Sequence, residues 1–347
     1  MSNLIFEVNM NINVQRNYKN LFISEYLIPS LKQNRKNFQD VEMYYCRRVI
    51  GGPVITIFIY AKEEIFHNIY AEFNSIFDDF CEEYKDSFKE NDIYMKQKED
   101  LIKMNNLKNT HDPYVNYTIS YHQINSIPRN GEYVNEEHKR IVNKWLFDNS
   151  GLIEETFLEL GKMNEIDKYA LITCIFLFTS YHLDNETPRG YMSFKSHYLG
   201  FMNSRRKHQM EVYDQKIKDI YMENKDVFKE IPKLYTNPLD TNILSNQNSR
   251  WLLEQWKEAL ESFMFLQEDL TIKKKYSSII SMLKFRKLSK FHNEAFSFKN
   301  LSFYLSPQFQ KYRNLVNLLY ICLPNVGINT PIRLLSSLVL VQIMEEE

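Results

Sequence analysis

Three places in this chain gather side chains that move protons or hold oxygen atoms. Tyr121, His122 and Arg129 bring a phenol, an imidazole and a guanidinium to a strand end and the turn after it. Ser193, Ser196, His197 and Tyr198 crowd two hydroxyls, an imidazole and a phenol into six residues, with Lys195 among them. Tyr320 opens the run YICLPNVGI, in which Pro324-Asn325 interrupts an apolar helical pattern and Gly327 suits a positive φ. These groups fit general acid and base work of modest strength. Each also has an ordinary structural reading, as turn residues, as a helix cap at Ser196, or as a helix break.

Stronger chemistry finds no support in the sequence. The eight histidines form no H-E-x-x-H pattern, no G-x-S-x-G surrounds a serine, and neither a P-loop nor G-x-G-x-x-G occurs. No metal and no cofactor are therefore expected. Cys46, Cys81, Cys174 and Cys322 stand singly, which reads as buried thiols in a reducing compartment rather than a disulfide framework.

The elements that must position these groups are legible from periodicity. Leu21 to Leu31 reads as a helix, and Met43 to Tyr60 as a hairpin broken at Gly51-Gly52-Pro53. Glu63 to Phe88 places Ile65, Ile69, Phe73, Ile76, Phe77 and Phe80 on one helical face, and Tyr114 to Ile124 reads as a further strand. Beyond Glu136 the pattern predicts helices over 136–147, 152–160, 166–182, 196–223, 250–266, 276–288, 308–323 and 330–346. Segment 89–113 reads as a polar surface excursion and 232–248 as a long loop. The fold class expected is α+β, one domain over 1–347 with a strand-rich part about 1–135 and a helical part about 136–347.

Charge and length set the outer limits. With 43 basic and 44 acidic side chains in 347 residues, no electrostatic footprint for nucleic acid or an anionic membrane appears. Only 8 glycines and 10 prolines occur, well under average usage, which argues against linker-rich designs. The most apolar stretch, Ala170 to Phe178, is about half of the ~20 residues a bilayer span requires, and no secretory signal is evident. A soluble, cytoplasmic protein is expected, with neither nucleic acid nor membrane as partner.

Taken in order, four segments resemble the C-terminal elimination domain of LanB-type lantibiotic dehydratases and the stand-alone thiopeptide-type bacteriocin biosynthesis proteins. The family's F-F-I-R-Y, turn, G-P-H-I-R-L-R-F is similar to Tyr44-Tyr45-Cys46-Arg47-Arg48 through Gly52-Pro53-Val54-Ile55-Thr56-Ile57-Phe58. Y-x-R-E-x-x-R-Y-G-G and then L-F-x-x-D-S resemble Tyr121–Glu132 and Leu146-Phe147-Asp148-Asn149-Ser150. S-x-x-S-H-x-x-x-F matches Ser193, Ser196, His197 and Phe201, and H-M-x-x-N-R-L-G-I looks like Tyr320 through Ile328.

The departures narrow the resemblance. In glutamate-eliminating members, the arginines of the first motif, a Glu and an Arg of the second and the histidine of the fourth handle a glutamyl-peptide intermediate. Here Thr56, Phe58, Ser126 and Tyr320 stand at all but one of those positions, and Arg129 remains. The grip on an anionic glutamyl group and the base are both lost. The resemblance therefore points to the pyridine synthase branch. Its members join two dehydroalanines of a modified precursor peptide by a formal four-plus-two aza-cycloaddition, forming a macrocycle and expelling water and the leader peptide.

That reaction needs proximity more than a strong nucleophile. The residues this resemblance selects as catalytic are Tyr121, His122, Arg129, Ser196, His197 and Tyr320. Ser193, Tyr198 and Asn325 are substrate-binding candidates, and Ser306 and Tyr312 join them because a polar helix start precedes the fourth motif. The partner implied is the precursor peptide, a leader plus a dehydroalanine- and azole-containing core, held by 89–113 or 232–248. A homodimer is implied by the resemblance alone. A stand-alone elimination lyase and a non-catalytic precursor-binding scaffold are the alternative functions.

Overall fold

The computed structural model describes residues 3–48, 54–87, 117–125, 127, 136–183, 189–203, 207–236, 247–268, 301–304 and 306–346. The hairpin turn at 51–53, the excursion 89–113, Arg129, the helix expected over 276–288 and most of the loop 232–248 lie outside them. The chain divides into two compact units: residues 1–129 with 143–158, and residues 130–142 with 159–347.

The first unit is built on an antiparallel sheet. Its strands are β1 (Leu4–Asn11), β2 (Glu42–Arg48), β3 (Val54–Ala61) and β4 (Thr118–Ile124), in the order β2-β3-β1-β4. The expected hairpin forms, with β2 and β3 paired so that Tyr45 faces Ile57 and Arg48 faces Val54. β1, an inner strand, lies ahead of the first element expected from the sequence. Its signal is the alternation in LIFEVNMN: Phe6, Val8 and Met10 are buried on one face while Glu7, Asn9 and Asn11 point to the other.

Helices cover the apolar face. Helix α1 (Arg16–Leu21) continues through a wider π-helical stretch, Phe22–Leu27, into α2 (Ile28–Asn37), and α3 (Glu63–Glu83) follows the hairpin. Ile69, Phe73, Phe77 and Phe80 of α3 are buried, as expected from their spacing, in one core with Ile55, Ile57, Ile59, Phe22 and Leu31; Ile65 and Ile76 of the expected face are only partly buried, and Phe66, which the spacing does not select, is fully buried. Phe6 stacks on Phe66 with ring centroids 3.7 Å apart. Each such side chain contributes about 1.5–3 kcal/mol when fully buried.

The opposite face of the sheet is polar and internally matched. Arg48 pairs with the nearly buried Glu7 at 2.8 Å, Asn9 donates to the same carboxylate at 3.1 Å, and Thr56 donates to Asn9 at 2.7 Å. The Arg48 guanidinium lies 5.0 Å over the ring of Phe58. Thr56 and Phe58, which stand where the resembled motif has arginines, are thus a buried hydroxyl donor and a buried ring. The nearby guanidinium is committed to Glu7.

Helix α4 (Glu136–Asp148) begins in the second unit and ends in the first, and α5 (Ser150–Lys162) begins in the first and ends in the second. The second unit is otherwise α6 (Glu165–Tyr181), α7 (Tyr191–Asn203), α8 (Lys207–Glu223), α9 (Lys225–Phe228), α10 (Ile231–Thr236), α11 (Gln247–Leu266), α12 (Leu301–Tyr304), α13 (Pro307–Asn325) and α14 (Thr330–Glu346). Helix α6 is buried at every position from Tyr169 to Ser180, which explains why its sequence is apolar all round. Helix α14 packs against α6, α7 and α8. No described helix is long and apolar enough to cross a membrane. The helix expected over 196–223 is two helices, and the first starts five residues earlier, at Tyr191.

His138 on α4 gives a pH-dependent handle on this unit. It is 1% exposed, its ring lies 6.5 Å from that of Phe263, and burial lowers its pKa to about 4. The folded state refuses a proton that the unfolded chain accepts near pH 6.5. The stabilising effect is therefore complete above that pH and is lost as pH falls from 6.5 to 4, by about 3 kcal/mol. In urea titrations across this range, wild type should lose stability more steeply than His138→Gln; parallel pH curves would remove His138 as the source.

Candidate functional site

The site starts from Gly190, at the entrance to α7. A Cβ at this position would lie 2.3 Å from the carbonyl oxygen of Ser180, so only glycine lets α7 begin against the last turn of α6. The Gly190 carbonyl accepts a hydrogen bond from Tyr312 at 2.6 Å, which ties α13 to the same point. Gly190→Ala is expected to destabilise the chain by about 1–3 kcal/mol through this overlap. A thermal midpoint equal to wild type would contradict the close approach.

From this anchor, α7 presents Ser193, Ser196 and His197 at helical spacings of three and four, so they share one face. The helix start at Tyr191 removes the capping role considered for Ser196, which sits inside the helix. Tyr312 and Tyr320 project from α13 a little over two turns apart. His197 and Tyr320 meet edge to face, with centroids 4.4 Å apart and planes at 84°. Phe194 and Phe176, stacked on each other at 4.3 Å, back the Tyr320 ring at 6.3 and 6.4 Å. Arg333, in the first turn of α14, places its guanidinium carbon 5.2 Å over the same ring.

Electrostatics at Tyr320 follow from this packing. Its hydroxyl is buried and makes no hydrogen bond among the described residues. Burial pushes its pKa above the ordinary tyrosine range, opposed by the Arg333 cation and the neighbouring Ser337 hydroxyl. Ser337 is close, but its hydrogen goes to the Arg333 carbonyl at 2.9 Å. Burial also raises the pKa of Tyr312, whose phenol is flanked by Ser193 and Ser180. The Tyr320 phenol is thus a neutral donor held ready for an acceptor. Its backbone carbonyl, too, is freed from the helix ladder, because Pro324, four residues on, has no N–H. Helix α13 then closes as expected at Gly327, with φ of 83° and a bond from the Ile328 amide to the Leu323 carbonyl at 2.9 Å.

The other candidates lie elsewhere. Tyr198, one position round the helix from His197, is buried and donates to Asp214 of α8, which Lys218 also holds at 2.6 Å. Ser306 caps α13, accepting from the Phe309 amide at 3.2 Å, and stands about 21 Å along the helix from Tyr320. Asn325 is buried in the last turn of that helix. In the first unit, Tyr121 packs on Phe66 and Tyr70 of α3 at 5.0 and 4.6 Å, whereas His122 points to the opposite face, opposite Glu7 on β1. Neighbours on a strand alternate faces, so one pocket on the sheet takes only one of them. Arg129 lies outside the described residues.

The structure therefore brings together Ser193, His197, Tyr312 and Tyr320, and adds Arg333, which sequence reasoning missed. Its partner ring lies on another helix, so nothing in the local pattern marks it. Among the described residues, no three metal-ligating side chains cluster.

No family model matches this chain, and no curated protein matches it in sequence. Solved structures do. The pyridine synthase TbtD from thiomuracin biosynthesis superposes with a TM-score of 0.65 at 12% identity, over 99% of this chain and 98% of that one. This chain has a pyridine-synthase-like fold. TsrL gives a TM-score of 0.64 at 12% identity, over 100% of this chain and 95% of its own. The α+β class expected from the sequence agrees with both likenesses. At this identity the pyridine-synthase-like fold is what the comparison establishes, and the chemistry rests on the side chains.

Proposed function

We propose that the chain is a thiopeptide pyridine synthase acting on a ribosomal precursor peptide that carries two dehydroalanines. One dehydroalanine with its neighbouring amide, drawn as the iminol, supplies a 2-azadiene, and the other supplies the alkene. Two carbon–carbon bonds form, and loss of water and of the leader peptide as its amide leaves a pyridine inside a macrocycle. The observation that carries this reading is the His197–Tyr320 pair in a fold shared with a pyridine synthase. His197, which is exposed to solvent, takes the amide proton that must leave nitrogen for the iminol to form. Tyr320, a neutral buried donor, supplies a hydrogen bond or proton to a departing group. Tyr312, fixed to the Gly190 carbonyl, sets α13 against α7 so that the pair meets.

The test is incubation with a synthetic bis-dehydroalanine, azole-containing precursor, followed by mass spectrometry. A pyridine macrocycle together with free leader amide is expected. Unchanged precursor would overturn the reading, and release of glutamate from a glutamylated precursor would mark an elimination lyase instead.

A further inference from the structure

We propose that Arg333 is a catalytic residue whose guanidinium binds the oxygen of the amide that tautomerises, an assignment that rests on the pyridine synthase reading. Three features make this cation expensive to place where it stands. It is half-buried, and it makes no ion pair with a carboxylate among the described residues. It also lies in the first turn of α14, whose start is set by Asn329 accepting from the Ile332 amide at 3.0 Å. The positive end of the helix dipole there disfavours a cation. Stacking on Tyr320 recovers part of this cost, since a guanidinium over an aromatic face gains about 0.5–2 kcal/mol.

No hydrogen bond or ion pair among the described residues uses the N–H groups of this guanidinium, which form a planar fork matched to an oxygen acceptor. The guanidinium lies over the ring whose hydroxyl has no acceptor among the described residues and which also meets the His197 imidazole. An oxygen held there would face a cation and a phenol donor, with a base beside them.

In the proposed reaction one oxygen needs such a place. The amide N–H bond breaks and its proton passes to His197; negative charge gathers on the carbonyl oxygen, which then takes a proton to become the iminol O–H. The same oxygen later departs as water, carrying no net charge away. Arg333 stabilises the intermediate charge without giving up a proton, and no oxidant or reductant enters.

Rates of Arg333→Gln, Arg333→Lys and Arg333→Ala with the bis-dehydroalanine precursor test this. Loss of one donor to a developing oxyanion is expected to lower kcat about 10²–10³-fold. KM, and Kd for a precursor bearing alanine in place of both dehydroalanines, should stay within about threefold of wild type, because the interaction strengthens only as charge develops. Millimolar guanidinium should restore part of the Arg333→Ala rate, which a merely structural role would not allow. If Arg333→Gln fails to fold, the Arg333→Lys rate and the rescue of Arg333→Ala decide the matter. Wild type that cyclises alongside an equally fast Arg333→Gln, or equal losses in kcat/KM and Kd without rescue, overturns this assignment alone. Wild type that yields no macrocycle overturns the parent reading as well.

Discussion

Tyr320→Phe is expected to slow macrocycle formation about 10²–10⁴-fold while leaving the protein as stable as wild type or slightly more so. The two halves of this expectation have separate causes. Proton transfer or hydrogen bonding by a positioned side chain supplies a rate factor of that size. The buried hydroxyl has no partner among the described residues, so removing it relieves an unmet polar group while keeping the ring's contacts with His197 and Arg333. His197→Ala is expected to reduce the rate similarly, with about 0.5–1.5 kcal/mol of stability lost with the edge-to-face contact. Single-turnover rates with the bis-dehydroalanine precursor, read beside thermal midpoints, separate chemistry from folding. If both variants keep the wild-type rate, the cluster on α7 and α13 is not where the chemistry happens.

The largest effect on folding is expected at Arg35, far in sequence from those residues. Helix α2 holds Arg35 against Glu154 of α5, with one nitrogen 2.9 Å from a carboxylate oxygen and a second nitrogen paired to the other oxygen. Glu154 is fully buried, and Arg35 also donates to the Met43 carbonyl at 3.1 Å. Arg35→Met leaves a carboxylate in the interior without its cation, and should cost about 3–5 kcal/mol. The double variant Arg35→Met/Glu154→Leu should recover most of that, since replacing both charges removes the uncompensated one. Urea unfolding of wild type, both single variants and the double variant measures the coupling. Additive losses would show that the pair is not acting as a unit.

What can be read from the sequence follows the range over which each signal acts. Helices α3, α6 and α14 are legible because their burial repeats within a few residues, whereas the S-x-x-S-H spacing puts three polar groups on one helical face only because the helix starts at Tyr191 and not, as expected, at Ser196. Gly327 is legible because one backbone conformation at a helix end depends on one residue type. Strand β1 differs from β3, whose run VITIFIY is apolar at nearly every position: in LIFEVNMN polar Glu7, Asn9 and Asn11 alternate with apolar residues, so no continuous apolar run marks it. Long-range facts are not legible. Tyr121 and His122 are adjacent in sequence yet divided between the two faces of β4, and the commitment of Tyr198 to Asp214 depends on where α8 lies. Arg333 joins the site only through the turn between α13 and α14.

The widened turns from Phe22 to Leu27 bear on how this chain is set beside others of similar fold. A π-helical stretch lets a helix absorb a surplus residue without breaking. A counterpart with regular turns here would be one amino acid shorter, and one missing residue swings everything beyond it by about 100°. An ungapped pairing carried across this point would match outward positions on one protein with inward positions on the other. Part of the low identity between similarly folded chains can arise in this way, from an indel hidden inside an unbroken helix rather than from exchanged chemistry.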